Sequence, residues 1–523
     1  MLPKLRIAFL QSFVHRNRGV ASGLAAIALI TVAMTGSAAA QNVGCNVLGA
    51  PSAGGSLPAD FSCGPVAVST STGGAGATAI GNTSEARGDG ATAVGYTAVA
   101  DGQNATAVGN HAFISGDRGT ALGASSVAIG LSTSIGYSAG SQHSFGAASV
   151  NIGAYANAAL DIGMGNGGNG SVAIGSGNSA TSAPLSSGTN SIAIGSGDSV
   201  FGAGAQATEF QAIAVGQGSV AAGRFSTAIG SGAGAGAYYS VAIGNAAAAG
   251  GLSSFAAGDG SSAAGASSTA IGHLANASAD NSVALGTGVT ASGSNSFAAG
   301  NNAHATGASG IAVGDGATAG SGANAIAIGT GAVATGSVAI GAGASAGLGN
   351  TAIGDGATAT AAPGASAFGN GATATAANSV AIGAGSVASS ANTVSVGSAG
   401  NERRITNVAP GISATDAATV GQLASVTSGV QGQLSSLQNQ VTDNLREARA
   451  GIALAMAAGA LQFDQRPGKV SIAGSYGNFK GSSGLAVGIG YAATERWRFN
   501  ATFSASPDQS AYGGVVSTSL TLN

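Results

Sequence analysis

The feature that most constrains this chain is a glycine that returns every fourteen residues and closes the same short motif. Gly81, Gly95, Gly109 and Gly123 lie 14 apart, and so do Gly216, Gly230, Gly244, Gly258, Gly272, Gly286, Gly300 and Gly314. They end runs such as Ala77-Thr78-Ala79-Ile80-Gly81 and Ser240-Val241-Ala242-Ile243-Gly244. A fixed short period is the signature of a solenoid, whose units cannot bury enough surface alone and must stack. In Val241-Ala242-Ile243 the β-branched residues sit two apart, which reads as a strand with one buried face and predicts that the Val/Ile face turns inward. Glycine then turns the corner, because it adopts positive φ without steric cost. Some two dozen such motifs, rising about 4.8 Å per coil, predict a rod on the order of 100 Å. Between 130 and 210 the spacing is irregular, and inserts such as Thr181 to Thr189 read as loops.

Composition narrows the class. Of 523 residues 92 are glycine and only 7% are charged, against usual shares near 7% and 25%. Most of the 45% hydrophobic fraction is alanine, so no large-residue enzyme core can be assembled. Residues 1–40 read as a signal segment: Lys4, Arg6, Arg16 and Arg18 precede the apolar run Val20 to Met34, and Ala38-Ala39-Ala40 supplies the cleavage site. Its removal leaves 12 Lys+Arg (16 less 4) against 19 Asp+Glu, a formal −7, so no basic face for nucleic acid is expected. Export permits a disulfide between the two cysteines, Cys45 and Cys63. Residues 41–75 read as an N-terminal cap and 76–400 as the repeat head.

At Asn401 the composition changes to Arg403-Arg404-Ile405-Thr406-Asn407-Val408, followed by Thr415-Asp416-Ala417 and Gln422-Leu423. This stretch, read as a neck over 401–422, resembles the necks of YadA-like trimeric autotransporter adhesins. Asn378-Ser379-Val380-Ala381-Ile382-Gly383-Ala384-Gly385-Ser386 is similar to that family's head repeat, which makes Asn378, Ser379, Val380, Ala381, Ile382, Gly383 and Ser386 a candidate matrix-binding motif. The resemblance implies a left-handed β-roll head, a homotrimer and attachment to host matrix, a host-cell receptor or other bacteria. It also implies an outer-membrane anchor inserted by the barrel-assembly machinery, with the head at the cell surface. The chain departs from the family pattern in ending Leu522-Asn523 where an aromatic residue is usual, and in its short stalk.

Leu423, Thr427, Val430, Leu434, Leu437 and Val441 follow the 4–3 spacing of a coiled-coil seam, which Leu445 then breaks. Stalk and lumen helix together are expected over 423–465, and anchor strands over 466–523. From Gly468 four segments alternate large apolar residues (Ile472 and Tyr476, then Val487 and Ile489, then Phe499 and Phe503, then Val516 and Leu520) with small or polar ones. Ser471, Ala473, Ser475 and Gly477 are thereby assigned to a barrel lumen. Four strands cannot close in lipid. Two copies give eight strands and an interior filled by side chains; three give twelve, with room for three helices. The predicted fold class is mainly β: a solenoid head, a trimeric coiled coil and a twelve-stranded trimeric barrel.

No catalytic constellation, metal site or cofactor motif is expected. His15, His111, His143, His273 and His304 are scattered and lack a spaced carboxylate partner, and isolated Asp259, Asp315 and Asp355 do not form the calcium-binding repeat. The expected function is a surface adhesin. Its rivals are a structural surface or biofilm rod without a receptor, and an ice- or carbohydrate-binding solenoid using the threonine row Thr78, Thr92 and Thr106.

Overall fold

A computed structural model of the chain describes residues 45–48, 60–64, 66–70, 75–140, 148–157, 169–198, 200 and 202–522. The expected signal segment, 1–40, lies outside the described residues. The chain forms two compact units, one reaching Arg403 and the other starting at Arg404.

The first unit is a β-solenoid. Each regular coil contributes a three-residue strand to one long parallel sheet and a strand of two or three residues to the opposite face, as Val241–Ile243 and Ala248–Ala249 do. The long sheet stacks in register, with Val241 opposite Phe255, Ala242 opposite Ala256 and Ile243 opposite Ala257. The opposite face is divided between a 5-stranded sheet ending at Val127–Ile129 and a 15-stranded sheet beginning at Leu185–Ser186. That second beginning corrects the reading of Thr181 to Thr189 as a loop. Leu185 and Ser186 pair in parallel with Gln206 and Ala207, so the insert supplies the first strand of a sheet.

The inward face is also opposite to the one expected. Ala242 is 0% exposed, whereas Ile243 is 40% exposed, and the same inversion holds at Ala79/Ile80, Ala228/Ile229 and Ala381/Ile382. Two strands lie back to back inside a narrow coil whose core is almost entirely alanine, Ile114 and Val289 being buried exceptions. Ala228, Ala242 and Ala256 of the long sheet therefore share one core with Ala235, Ala249 and Ala263 of the short one. Serines close the ends of this alanine layer. The Oγ atoms of Ser240, Ser268 and Ser282 each donate to the carbonyl three residues earlier, at 2.6–2.7 Å. At these three the buried hydroxyl is satisfied locally, whereas the Oγ atoms of Ser226, Ser254 and Ser296 at the equivalent place have no partner.

The fourteen-residue glycine has two reasons to be glycine. Gly244 has φ +133°, and a Cβ placed on it would lie 2.5 Å from the carbonyl oxygen of Gly258, one coil further on. That carbonyl follows an amide already bonded to Ile243 O at 2.8 Å, so the backbone has no freedom to retreat. Conformation and stacking distance together fix the repeat.

At the N-terminal end, strand Cys45–Leu48 runs antiparallel to Asp60–Cys63, with Cys45 opposite Cys63 in register. Cys63 is disulfide-bonded, and the sequence contains 2 cysteines.

The second unit opens with helix α1, Val420–Gly459. Its start is a reciprocal capping box: Thr419 Oγ1 accepts from Gln422 N at 3.2 Å, and Gln422 Oε1 accepts from Thr419 N at 3.0 Å. Such caps contribute about 1 kcal/mol. The seam residues Leu423, Val430, Leu434, Leu437 and Val441 are exposed on the single chain. The helix runs unbroken past Leu445 and stops at Gly459. Four antiparallel strands follow in sequence order: Val470–Phe479, Ser482–Ala492, Trp497–Ala505 and Tyr512–Leu520.

Candidate functional site

The C-terminal sheet has two unlike faces, and the helix lies on one of them. Ile472, Tyr476, Val487, Phe503 and Val516 stand out from the open face, Ile472 being 76% and Val516 87% exposed. On the other face Ser475 Oγ donates to the carbonyl of Ala457, and Ser471 Oγ accepts from Asp464 N at 3.0 Å. Gly477 lies opposite Gly484 across the first two strands. A Cβ on Gly477 would sit 2.7 Å from Ala453 O, and one on Gly484 2.6 Å from the same oxygen. This glycine pair is what lets the helix backbone touch the sheet. Ala450, Ala453, Leu454 and Ala457 are the buried helix residues. Beyond the helix, Leu461 and Phe463 cover the second strand, where Gly488 and Gly490 leave space for their side chains. Ala473 alternates with the same phase as Ser471 and Ser475 and is half-buried. The face of Ser471, Ala473, Ser475 and Gly477 is therefore the one turned toward the chain's own helix.

The neck residues divide into two groups. Arg403 belongs to the head: its guanidinium donates to Ser386 Oγ at 2.9 Å and to Val396 O at 2.8 Å, closing the last coils. Asp416 closes a turn by accepting from Ser413 N at 2.8 Å and Ile412 N at 2.9 Å. These bonds, Ser413 first, hold its carboxyl below the ordinary aspartate range. Gln422 reaches back to Gly411, accepting from its N–H at 3.0 Å and donating to its carbonyl at 2.9 Å. Asn407 takes φ +60°, and Arg404, Ile405, Thr406, Val408, Thr415, Ala417 and Leu423 are exposed.

The candidate matrix-binding motif requires correction. Ser379, Ala381 and Ser386 are each 0% exposed, so they cannot touch a ligand. Ser379 Oγ bonds to Ala376 O at 2.7 Å and Ser386 Oγ to Ile382 O at 2.6 Å, which makes them internal fasteners of the coil. Gly383 takes φ +105° at the corner. Only Asn378, Val380 and Ile382 present side chains outward, and Asn378 Nδ2 donates to Asn392 Oδ1 at 3.2 Å, one coil on.

The histidines also differ from expectation. His273 Nε2 lies 3.4 Å from Asp259 Oδ2, because residues fourteen apart are neighbours on adjacent coils. Asp259 Oδ1 additionally accepts from Asn245 Nδ2 at 2.8 Å. Both His273 and Asp259 are largely exposed, and His304 and His111 have other surroundings. Among the described residues no group of three His, Cys, Asp or Glu converges to hold a metal ion. Nor, among them, is any helix long and apolar enough to cross a membrane.

Comparison with known proteins follows this division of the chain. Residues 73–96, 86–112, 207–233, 263–288, 291–317, 321–344, 362–386 and 374–399 match the YadA head domain repeat. Residues 404–446 match the coiled stalk of trimeric autotransporter adhesin, and 462–521 the YadA-like membrane anchor domain. The autotransporter adhesin BtaF of Brucella suis biovar 1 (strain 1330) is 44% identical over 92 residues, 17% of this chain and 32% of that protein. NhhA of Neisseria meningitidis serogroup B (strain ATCC BAA-335 / MC58), also an autotransporter adhesin, is 39% identical over 85 residues, 16% of this chain and 13% of its own length. The similarity thus spans about a third or less of these relatives. The crystal structure of the collagen-binding domain of the Yersinia adhesin YadA aligns at 33% identity and a TM-score of 0.27, covering 32% of this chain and 87% of that one. The anchor match places the C-terminal strands in the outer membrane with the head exposed. With head, stalk and anchor all present in their order along one sequence, the chain belongs to the YadA-like trimeric autotransporter adhesins.

Proposed function

We propose that the protein is a homotrimeric surface adhesin that anchors itself through a shared barrel, exports its own head and uses it to hold matrix, host cells or other bacteria. The observation that carries this reading is a pair of unpartnered apolar faces on one chain. Ile229, Ile243 and Ile271 line an exposed stripe along the long sheet, and Val430, Leu434 and Leu437 line another along α1, all of them open in the single chain. Monomers rarely leave such stripes in water, so other copies of the chain are their natural cover. Closure of the anchor sets the number: three copies supply twelve strands and leave a lumen wide enough for three helices.

In this reading the small residues Ser471, Ala473, Ser475 and Gly477 line the lumen because the helices fill it. The segment around Arg403, Asp416 and Gln422 is the neck that joins a head built on the three long-sheet faces to the coiled coil. We also assign a Cys45–Cys63 bond as a clamp on the exposed end of the first strands; a non-reducing peptide map lacking that linked pair would refute the assignment. No catalytic step is attributed to the chain. The barrel-assembly machinery and outer-membrane lipid are its expected partners at the anchor.

The test is adhesion of cells displaying the full chain to surfaces of collagen, fibronectin and laminin, alongside settling of the same cells in suspension. Adhesion to a matrix surface, or settling that depends on the chain, supports the adhesin. Display at normal levels with neither behaviour favours a structural rod without a receptor.

A further inference from the structure

One corner of the solenoid follows a conformational rule that is broken at two neighbouring coils. The residue that turns from the short sheet back toward the long one sits in the left-handed region, with φ between +53° and +60° at Asn190, Gln211, Ser253, Ser267, Asn281, Asn295 and Asn324. Asparagine and serine suit this place, since their short polar side chains bond locally and tolerate positive φ. At Phe225 (φ +59°) and Tyr239 (φ +57°) the same place holds aromatic rings, for which that conformation is strained. The coil geometry does not demand a ring here, because the same place elsewhere takes non-aromatic residues, Arg118 (φ +61°) and Ala148 (φ +65°) as well as asparagine and serine. Strain of this kind persists where it positions a side chain for use.

The rings form an ordered surface. Phe225 stacks on Tyr239 with centroids 5.1 Å apart and planes inclined by 7°. Phe210 meets Phe225 edge-on at 5.4 Å, and the Arg224 guanidinium lies 5.3 Å over the Phe210 ring. Tyr238 and Tyr239 are 50% and 57% exposed. Alongside lies a shallow, open depression lined by Thr189, Thr208, Glu209, Phe210, Arg224 and Tyr238. Its rim is hydroxyls plus one carboxylate and one guanidinium.

We propose that this corner is a saccharide-binding site that takes a neutral oligosaccharide. A pyranose ring has an apolar C–H face and a rim of hydroxyls, which matches flat exposed rings beside a polar rim. One acidic and one basic group cancel, so a polyanion gains no net attraction. An extended peptide has no strand edge to join, because the corner amides are spent in the stack: Phe225 N donates to Phe210 O at 2.9 Å and Tyr239 N to Arg224 O at 3.0 Å. The inference deepens the adhesin reading, and it relies on that reading only for exposure of the head.

The test uses the full-length chain in detergent on an array of neutral hexose and N-acetylhexosamine oligosaccharides. The variant Phe225→Asn with Tyr239→Asn installs the residue that this turn carries at Asn281 and Asn295. It is expected to keep or raise the thermal midpoint, while retention on the array falls about tenfold or more, and free oligosaccharide should compete with the parent protein. Three results would overturn the proposal: a parent chain that binds no neutral saccharide, a variant that binds like the parent, or a variant whose assembly falls apart. The last would make the rings a seam between protomers. Because the array contains no matrix protein, failure on collagen, fibronectin and laminin leaves this result independent.

Discussion

Replacing Gly244 by alanine should break the solenoid at one junction while replacing Gly234 should not. Gly244 has φ +133°, and its new Cβ would lie 2.5 Å from Gly258 O and 2.7 Å from Gly258 C, both backbone atoms of the next coil. Ordinary contacts lie near 3.5–4 Å, so one coil must lift off the other. The conformational strain costs about 1–3 kcal/mol and forced overpacking adds about 1–3 kcal/mol, for a total of roughly 2–6 kcal/mol. A Cβ on Gly234 meets nothing within 4 Å, and that residue has no positive φ; alanine there should be neutral or stabilising by up to about 1 kcal/mol. Solenoid stability is a sum of nearest-neighbour terms, so the damage should stay local. Hydrogen exchange of the full-length chain in detergent reads it directly. Amides of the coils on either side of Gly244 should exchange about thirtyfold faster or more, at roughly 1.4 kcal/mol per factor of ten, with the distant coils near Gly95 unchanged. Equal protection in Gly244→Ala and the parent, or equal loss in Gly234→Ala, would refute the stacking account.

Three further outcomes follow from the two faces and the neck. Ala242→Asp places a charge in the dry alanine layer and should cost several kcal/mol in a thermal melt, whereas Ile243→Asp should leave the coil folded but lower the assembled mass; the reverse ranking would mean the inward face is misassigned. Ser475→Trp thrusts bulk at the helix carbonyl of Ala457 and should reduce surface-labelled head while the anchor still inserts, as Ile472→Leu on the open face should not; wild-type display by Ser475→Trp would contradict the lumen assignment. Because the Asp416 carboxyl is held below its ordinary range by the Ser413 and Ile412 amides, its contribution is present above the unfolded-state value and is lost as pH falls through the folded-state value. Neck melting should therefore grow more pH-sensitive in the acid range than in Asp416→Asn, and identical profiles would remove that role.

The period, the glycine corners, the helix seam and the two-faced anchor strands are all legible in the sequence, because each is a repeat or an alternation. The inward face was not. Hydrophobicity ranks Val241 and Ile243 above Ala242, yet room rather than hydrophobicity decides inside a coil two strands thick. The signal lay in constancy: the middle position is alanine at 79, 93, 107, 228, 242 and 256, while its outer neighbours range over Thr, Val, Ile, Phe and, at 257, Ala. A place that accepts one small residue is tightly packed, and places that vary among large ones face space or another chain. The short sheet was hidden for a related reason, since pairs such as Gly234-Ala235 carry no β-branched residue. The encounter of His273 with Asp259 and the ring stack at Phe225 needed the coil geometry, which turns a separation of fourteen into direct contact.

The central claim is that the apolar long-sheet face, the helix seam and the four-stranded anchor are all completed by two further copies of the same chain. The native mass of the full-length assembly extracted in mild detergent measures this most directly. Three chains per particle are expected, persisting under mild denaturant and lost only when the anchor sheet melts. A particle of one or two chains with its strands intact would contradict the account.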